Sequence, residues 1–248
     1  MFGPAAVGER ATGRFVLDLP DLSDWFNPFL PRFALDAERC GGEVRVMRDG
    51  ERLVGLLVSD PVERIATVFT RSRAIAEKVV RSRGSYGVYC EFWLGPGGEV
   101  YDIFGARLDP ERARIRFRHP VRELRDSDIP ALLDLIREVE GPVNPRWFEG
   151  LPNANEAGFE VEVDGRLAGA AWVSRAGAHA RLHSLAVRVP YRRLGIASDL
   201  LHARLLWAVR NGVTEAISEI AQPNFASQQV ALRGGMHRRG QVYFYRPS

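Results

Sequence analysis

Two passages of this chain are near copies of each other: residues 49–58 read DGERLVGLLV and residues 164–173 read DGRLAGAAWV. Each sets Asp-Gly, a dipeptide that tolerates the positive φ angles of a tight reverse turn, between apolar runs. That is the pattern of a β-hairpin. Gly55 and Gly169 lie 114 positions apart. Fainter echoes follow, VYCEF (88–92) against AISEI (216–220) and VYDIF (100–104) against VYFYR (242–246). A period this long is the length of a domain and not of a solenoid unit. Two related domains in tandem are therefore expected, with chance likeness of two Asp-Gly hairpins as the competing explanation. At 248 residues and 46% hydrophobic content the chain has material for one large core or two small ones.

The boundary is expected near His119-Pro120, giving domains 1–118 and 119–248. Residues 121–141, VRELRDSDIPALLDLIREVEG, read as strand, turn and helix. Asp126 and Asp128 supply capping carboxylates, and Leu132, Leu135, Ile136 and Val139 share one helical face. A loop, a short helix near Trp147 and the second hairpin come next. A long strand over 179–189 leads to a helix in which Ile196, Leu200, Ala203 and Trp207 form a stripe and which Gly212 ends. A strand at 215–221, a helix at 224–232 and a strand at 241–246 complete a mixed α/β domain.

Several classes are excluded at this level. No apolar run is long enough to span a bilayer, and residues 1–14 lack the apolar core of a signal peptide, so a cytoplasmic protein without a membrane partner is expected. Cys40 and Cys90 have no metal-ligand spacing, and the five histidines form no HExxH pattern, so no metal is expected. The net charge is only +3, and Lys78 is the sole lysine. The arginines are scattered, apart from a local run at 112–118, whereas a nucleic-acid surface would concentrate them on one face. Nucleic acid is not an expected partner.

The chemistry is concentrated in residues 187–197, VRVPYRRLGIA. An extended run ends at Pro190, a basic turn follows, and a helix begins near Gly195. The first turn of a helix has N–H groups without internal acceptors, the helix dipole adds positive charge there, and phosphate oxygens are natural partners. Gly195 permits close approach of the backbone to a bulky anion, Ala197 keeps the next position small, and Arg192 and Arg193 add charge. A strand, turn and helix with one glycine is by itself a common arrangement that often binds nothing.

Arg192-Arg193-Leu194-Gly195-Ile196-Ala197 resembles the Arg/Gln-x-x-Gly-x-Gly/Ala signature of the GNAT superfamily of N-acetyltransferases. Leu185-Ala186-Val187, Pro190-Tyr191 and Leu200-Leu201 fit the surrounding pattern. The resemblance covers residues 120–248 well and the first half faintly. It implies the α/β, mixed-sheet acyl-CoA N-acyltransferase fold, expected here in two tandem copies. It further implies that Arg192, Arg193, Leu194, Gly195, Ile196 and Ala197 hold the pyrophosphate of acetyl-CoA, and that Leu185, Ala186 and Val187 bond the pantetheine arm as an added strand would. The second landmark of the family, Asn-x-x-Ala/Ser, is matched by Asn224-Phe225-Ala226-Ser227, with Gly235-Met236 where the family has Gly-Phe. Asn224 and Ser227 are then coenzyme contacts; the simpler role for Asn224 is a helix cap.

The implied reaction is direct attack of a primary amine, on a small molecule or a peptide N-terminus, on the acetyl thioester in a ternary complex. It needs removal of a proton from an ammonium and stabilisation of an oxyanion. The N–H of Val187 is the candidate oxyanion donor. Glu219, five residues before Asn224, has the spacing of the proton acceptor in ribosomal-protein alanine acetyltransferases, which this half resembles most. A solvent-facing or ion-paired strand residue is the plain alternative for it. His183 and Ser184 are fallback bases or water holders. Those relatives have an acidic tyrosine seven residues after the asparagine, where this chain has Ala231; Tyr191, Tyr243 and Tyr245 are substitutes by type, with packing as their simpler role. Glu138, Glu140, Glu149, Glu156 and Glu160 would favour a cation or form a solvated acidic face.

In the first half the helix at 72–81 follows FTRS in place of a glycine turn, and only WLGPGGE separates VYCEF from VYDIF. No coenzyme site is expected there. The aromatic-rich segment 17–33 is expected to cover the core or form an interface. A homodimer is compatible with the sequence. The rival readings are a non-catalytic module that binds or senses acyl-CoA and, further away, an Arg-rich nucleic-acid-associated protein.

Overall fold

The structure, a computed structural model, describes residues 8–11, 37–38, 41–62, 64–109, 117–141 and 143–247. The expectations for segment 17–33 and Cys40, and most of the basic run at 112–118, lie outside these residues. The chain divides into two compact units, the described part of Met1–Tyr101 with Gln241–Ser248, and Asp102–Gly240.

The first unit is built on strands β1 (Glu9–Ala11), β2 (Glu43–Asp49), β3 (Arg52–Asp60) and β4 (Ile65–Thr70), helix α1 (Arg73–Arg81) and strand β5 (Gly87–Cys90). The first four strands pair antiparallel in chain order. α1 then crosses over so that β5 lies parallel to β4, and Val88, Tyr89 and Cys90 pair antiparallel with Tyr245, Phe244 and Tyr243 of the last strand. Ala76, Val79 and Val80 of α1 pack on Leu57, Val68, Val88 and Cys90. Tyr245 closes this core, and its hydroxyl accepts the Leu94 N–H at 2.6 Å, so it and Tyr243 serve packing. Burial pushes the Cys90 thiol up to about 11, which leaves it a protonated, inert core residue.

The second unit takes in β6 (Gly98–Arg107) from Asp102 onward, β7 (Arg122–Glu123), α2 (Ile129–Val139), β8 (Glu156–Val163), β9 (Arg166–Ala176), β10 (His179–Val187), α3 (Ile196–Arg210), β11 (Glu215–Ala221), α4 (Phe225–Arg233) and β12 (His237–Tyr245) up to Gly240. β7, β8, β9 and β10 pair antiparallel in sequence order and β11 joins β10 in parallel, making the expected mixed sheet. One face packs under α3, with Ala157, Val173 and Leu182 against Ile196, Leu200 and Ala203. The other packs under α2, with Trp172 and Ala170 against Leu132, Leu135 and Ile136. The expected stripe on α3 is broader than its apolar spacing implies: Asp199 and Arg204 are buried in it, while Trp207 is only partly covered. Asp128 caps differently from expectation, since its carboxylate takes the Arg125 N–H at 2.8 Å and the Arg122 guanidinium and bonds no N–H of α2.

The two hairpins share an irregularity. β2 slips register between Met47 and Arg48, opposite Gly55 and Leu53, and β8 slips between Val161 and Glu162, opposite Gly169 and Leu167. Each pair of positions is 114 residues apart, as are the two glycines. A bulge is a specific local feature, so its recurrence at equivalent places is a structural likeness beyond the Asp-Gly turn. At Gly169 a Cβ would stand 2.9 Å from Ile196 Cγ2 and 3.0 Å from the Ala186 carbonyl oxygen. Only glycine lets the start of α3 sit this close to β9 and β10.

Candidate active site

The turn before α3 is a concave run of main-chain donors. Arg193 and Gly195 both lie in the left-handed region, at φ 69° and 97°, and alternation of this kind turns successive N–H groups to one side as an anion nest. Gly195 is the N-cap of α3 and provides no side-chain acceptor. The N–H groups of Ser198 and Asp199 bond the Gly195 carbonyl, at 3.0 and 3.1 Å. Among the described residues no acceptor meets the N–H of Arg193, Leu194, Gly195, Ile196 or Ala197. Five consecutive donors at the positive end of the helix dipole are thus without an acceptor among the described residues.

Asp199 anchors this turn from below. It is 2% exposed, accepts the N–H groups of Arg118 and His119 at 3.1 Å each, and bonds His119 Nδ1 at 2.8 Å. The segment before β7 is thereby tied to the first turn of α3. Arg118 lies over the turn as a result, its Cδ 3.1 Å from where a Gly195 Cβ would be. Arg192 is turned the other way, and its Nε donates to the Val187 carbonyl at 3.1 Å.

β10 is bulged where the site begins. Its register to β9 slips between His183 and Ala186, and Ser184 takes φ 50°. Ser184 is the extra residue. It restores Leu185 and Val187 to the α3 face and Ala186 to the α2 face, an inversion that strict alternation would misplace. Carbonyl oxygens at the bulge are satisfied from beneath: the buried Arg204 donates to Trp172 O and His183 O at 3.3 Å each and to Leu200 O at 3.3 Å. Burial with only carbonyl acceptors lowers the Arg204 guanidinium to about 9. β10 leaves β11 just before the bulge. Their parallel register covers His179, Ala180 and Arg181 against Glu215, Ala216 and Ile217, and Ser218 Oγ closes the fork by donating to Leu182 O at 2.9 Å. The Arg188 N–H bonds Ala168 O on β9 at 2.9 Å. By strand alternation the N–H groups of Leu185 and Val187 therefore face the β11 side, where pairing has ended.

The face of the sheet under α2 carries the titratable groups of this region. Glu219 has both carboxylate oxygens on Arg181 Nε, at 3.1 and 3.4 Å. Beside them, Ser174 Oγ donates to Glu156 Oε1 at 2.8 Å and meets His183 Nε2 at 2.8 Å, and His183 Nδ1 meets Ser184 Oγ at 3.1 Å. Burial, with the charges of Arg181 and Arg204, holds His183 well below the ordinary histidine range, so it is neutral. Glu156 and Glu160 are 4% and 2% exposed, so the solvated acidic face expected from the sequence does not include them. Glu160 is pushed up to about 7 by burial, because the one guanidinium near it, Arg122, is shared with Asp128 and Glu162. Glu138 pairs with Arg188.

Asn224 is the N-cap of α4, its Oδ1 accepting the Ser227 N–H at 3.1 Å. Its Nδ2 meets no acceptor among the described residues and remains available to a ligand. Ser227 is half-buried beside it. Ala231 is 3% exposed and lies in the core under α4, so the position at which relatives have a tyrosine faces apolar packing here. Val189, Leu194 and Phe225, at 65%, 48% and 73% exposure, leave apolar surface open at the two motif ends. Sequence reasoning missed Arg118, Asp199 and Arg204. A buried Asp and Arg within an otherwise apolar helix are the one signal that could have flagged the last two.

Residues 122–236 match the family model described as the acetyltransferase (GNAT) family. Among solved structures, a Drosophila protein is 16% identical with TM-score 0.63, the match covering 96% of this chain and 98% of that one. An acetyltransferase from the GNAT family from Colwellia psychrerythraea is 13% identical with TM-score 0.62, covering 95% and 98%. A tandem GNAT protein from the clavulanic acid biosynthesis pathway is 17% identical with TM-score 0.54, covering 84% and 83%. No curated protein matches the sequence. The chain has the GNAT fold, and its segment 122–236 carries the sequence pattern of that acetyltransferase family. Among the described residues no helix is long and apolar enough to cross a membrane, and no three His, Cys, Asp or Glu side chains converge as a metal-ligand group.

Proposed function

We propose that this protein is an N-acetyltransferase that moves an acetyl group from acetyl-CoA to a primary amine by direct attack in a ternary complex. The observation that carries the reading is the run of five acceptor-free N–H groups at 193–197. A diphosphate fits such a nest, and the residues that would hold it are Arg193, Leu194, Gly195, Ile196 and Ala197, with Arg192 and Arg118 as flanking charge. Leu185 and Val187 offer main-chain donors for the amides of pantetheine, and Asn224 Nδ2 and Ser227 border the same arm. The coenzyme supplies the activated thioester. The Val187 N–H is placed by strand alternation to donate to an oxygen that gains negative charge. Glu219 is the carboxylate at the spacing of a proton acceptor, and it can take a proton only when its pair with Arg181 opens. That spacing favours the ribosomal-protein alanine acetyltransferase type, and the buried Ala231 departs from it.

The recurring bulge and glycine at 114 residues support a tandem origin, with the first unit a degenerate copy whose described residues include neither the nest nor an Asn-bearing helix. A second reading, a module that binds acyl-CoA without turnover, is favoured by Ala231 and by the degenerate first half. A thermal shift with coenzyme A tests binding, and thiol release from acetyl-CoA over a panel of primary amines tests turnover. A shift without thiol release for any amine selects the second reading, and no shift overturns both. With Glu219 as the base, Glu219→Gln lowers kcat; unchanged turnover removes Glu219 from that role and leaves the acetyl-transfer reading standing.

A further inference from the structure

Four side chains from three neighbouring strands form one directional hydrogen-bond chain on the α2 face of the sheet. Glu156 on β8 is its buried end, and Ser184 at the bulge of β10 is its partly exposed end. The direction follows from proton counting. Ser174 has a single hydroxyl proton, and it goes to Glu156 Oε1. The contact between Ser174 Oγ and His183 Nε2 then requires Nε2 to be the donor. A neutral imidazole protonated at Nε2 has a bare Nδ1, which accepts the hydroxyl proton of Ser184. Ser184 Oγ is left with free lone pairs, one residue before Leu185, at the edge where β10 leaves β11. A non-glycine residue at positive φ is strained, and here the strain sets that oxygen at the mouth of the chain.

We propose, resting on the acetyltransferase reading, that Ser184, His183, Ser174 and Glu156 form the path that carries the proton of the acceptor ammonium from the bulge into the sheet. The ammonium proton passes to Ser184 Oγ, which gives its own to His183 Nδ1. His183 releases the proton on Nε2 to Ser174 Oγ, and Ser174 passes its proton to Glu156. The amine becomes neutral and Glu156 becomes a carboxylic acid. Both serines regain their starting form, and His183 changes tautomer without becoming an imidazolium. A histidine that resists protonation and a carboxyl group 4% exposed suit a transfer of this kind. Charged groups near the chain among the described residues include Arg181 on β10, paired with Glu219 of β11, and Arg204, which reaches the carbonyls of Trp172 and His183 from α3. From α2 the buried side chains are the apolar Leu132, Leu135 and Ile136. In this scheme Glu219 is the counter-ion of Arg181.

The test uses the full chain, acetyl-CoA and the panel amine of highest turnover. Ser184→Ala and Ser174→Ala are expected to lower kcat by about 100-fold at pH 7, the lower range for a positioned proton acceptor, with KM for acetyl-CoA within about twofold. The loss shrinks to within about threefold at pH values where the amine arrives neutral, and Ser174→Thr restores most of the rate. A loss equal at every pH, or no loss, overturns the path while the transferase reading stands. A wild-type chain that releases no thiol with any amine overturns the transferase reading and the path with it. Nitrogen-15 NMR of the imidazole of His183 needs no substrate: a neutral ring protonated at Nε2 from pH 5 to 8 is the expected result, and a proton on Nδ1, or titration within that window, overturns the path.

Discussion

Helices α1 and α3 start their units' crossovers in the same way, after a strand paired antiparallel on one side and leading to a parallel strand on the other. Their first turns are opposites. At α1, Ser72 Oγ accepts the Ile75 N–H at 3.4 Å, the Ala76 N–H bonds Ser72 O, and the Ser72 N–H bonds Thr70 Oγ1 at 3.1 Å. Three N–H groups of that turn are thus met from within it. At α3 no side chain caps the helix and five N–H groups have no acceptor. The strands differ correspondingly: β4 keeps one register against β3 throughout, while β10 is bulged at Ser184 against β9. One scaffold thus gives a closed helix start and an open one, and the open one is where an anion can bind. The proposed function rests on these local departures from complete bonding and not on the fold alone.

The largest expected effect comes from closing the open turn. Gly195 holds φ 97°, and Gly195→Val forces a β-branched residue there, a strain of about 1–3 kcal/mol that is relieved by losing the nest. Coenzyme A affinity, measured by calorimetry, should fall by about 100-fold, equivalent to about 2.8 kcal/mol. An unchanged affinity breaks the comparison. Next, Ala231→Tyr restores the residue type of relatives in a core position and should overpack it by about 1–3 kcal/mol, read as a lower denaturation midpoint without a gain in kcat.

Ser72→Ala sharpens the contrast from the other side. It removes a cap and should cost about 1 kcal/mol of stability, with coenzyme A affinity unaltered. Arg118→Ala removes a flanking charge and should weaken coenzyme A about fivefold at low salt and less at high salt.

The smallest effect concerns pH and is shared by both units. Glu91 and Glu160 are each raised to about 7, burial being the largest cause in both. Between the ordinary value of 4.5 and about 7 the folded chain holds protons that the unfolded chain has released. Stability therefore declines as pH rises through that window. The melting temperature should be lower at pH 8 than at pH 5, and the Glu91→Gln, Glu160→Gln pair should flatten that slope.

The nest was legible because its cause is local: a left-handed glycine, basic neighbours and a helix start follow one another within a few residues. The strand and helix order was legible for the same reason, through apolar spacing and the Asp-Gly turns. The proton-bearing groups were read only in part. His183 and Ser184 stood out by type, yet their partners Ser174 and Glu156 are joined to them only through strand pairing, at sequence separations of 9 and 18 along the chain of bonds. Arg204 was not singled out, because an apolar stripe draws attention away from the charged residues between its members. Its carbonyl partners, Trp172 on β9 and His183 beside the bulge of β10, lie 32 and 21 residues away, which local spacing does not encode. Arg118 lies over Gly195 only because Asp199, 81 residues onward, holds its main chain.

The most direct measurement is amide NMR of the full chain titrated with coenzyme A. The account predicts that the N–H signals of residues 193–197 shift most, with Leu185 and Val187 following, and that those of residues 72–76 at the start of α1 stay still. Unmoved signals at 193–197, or equal movement at both helix starts, would contradict it.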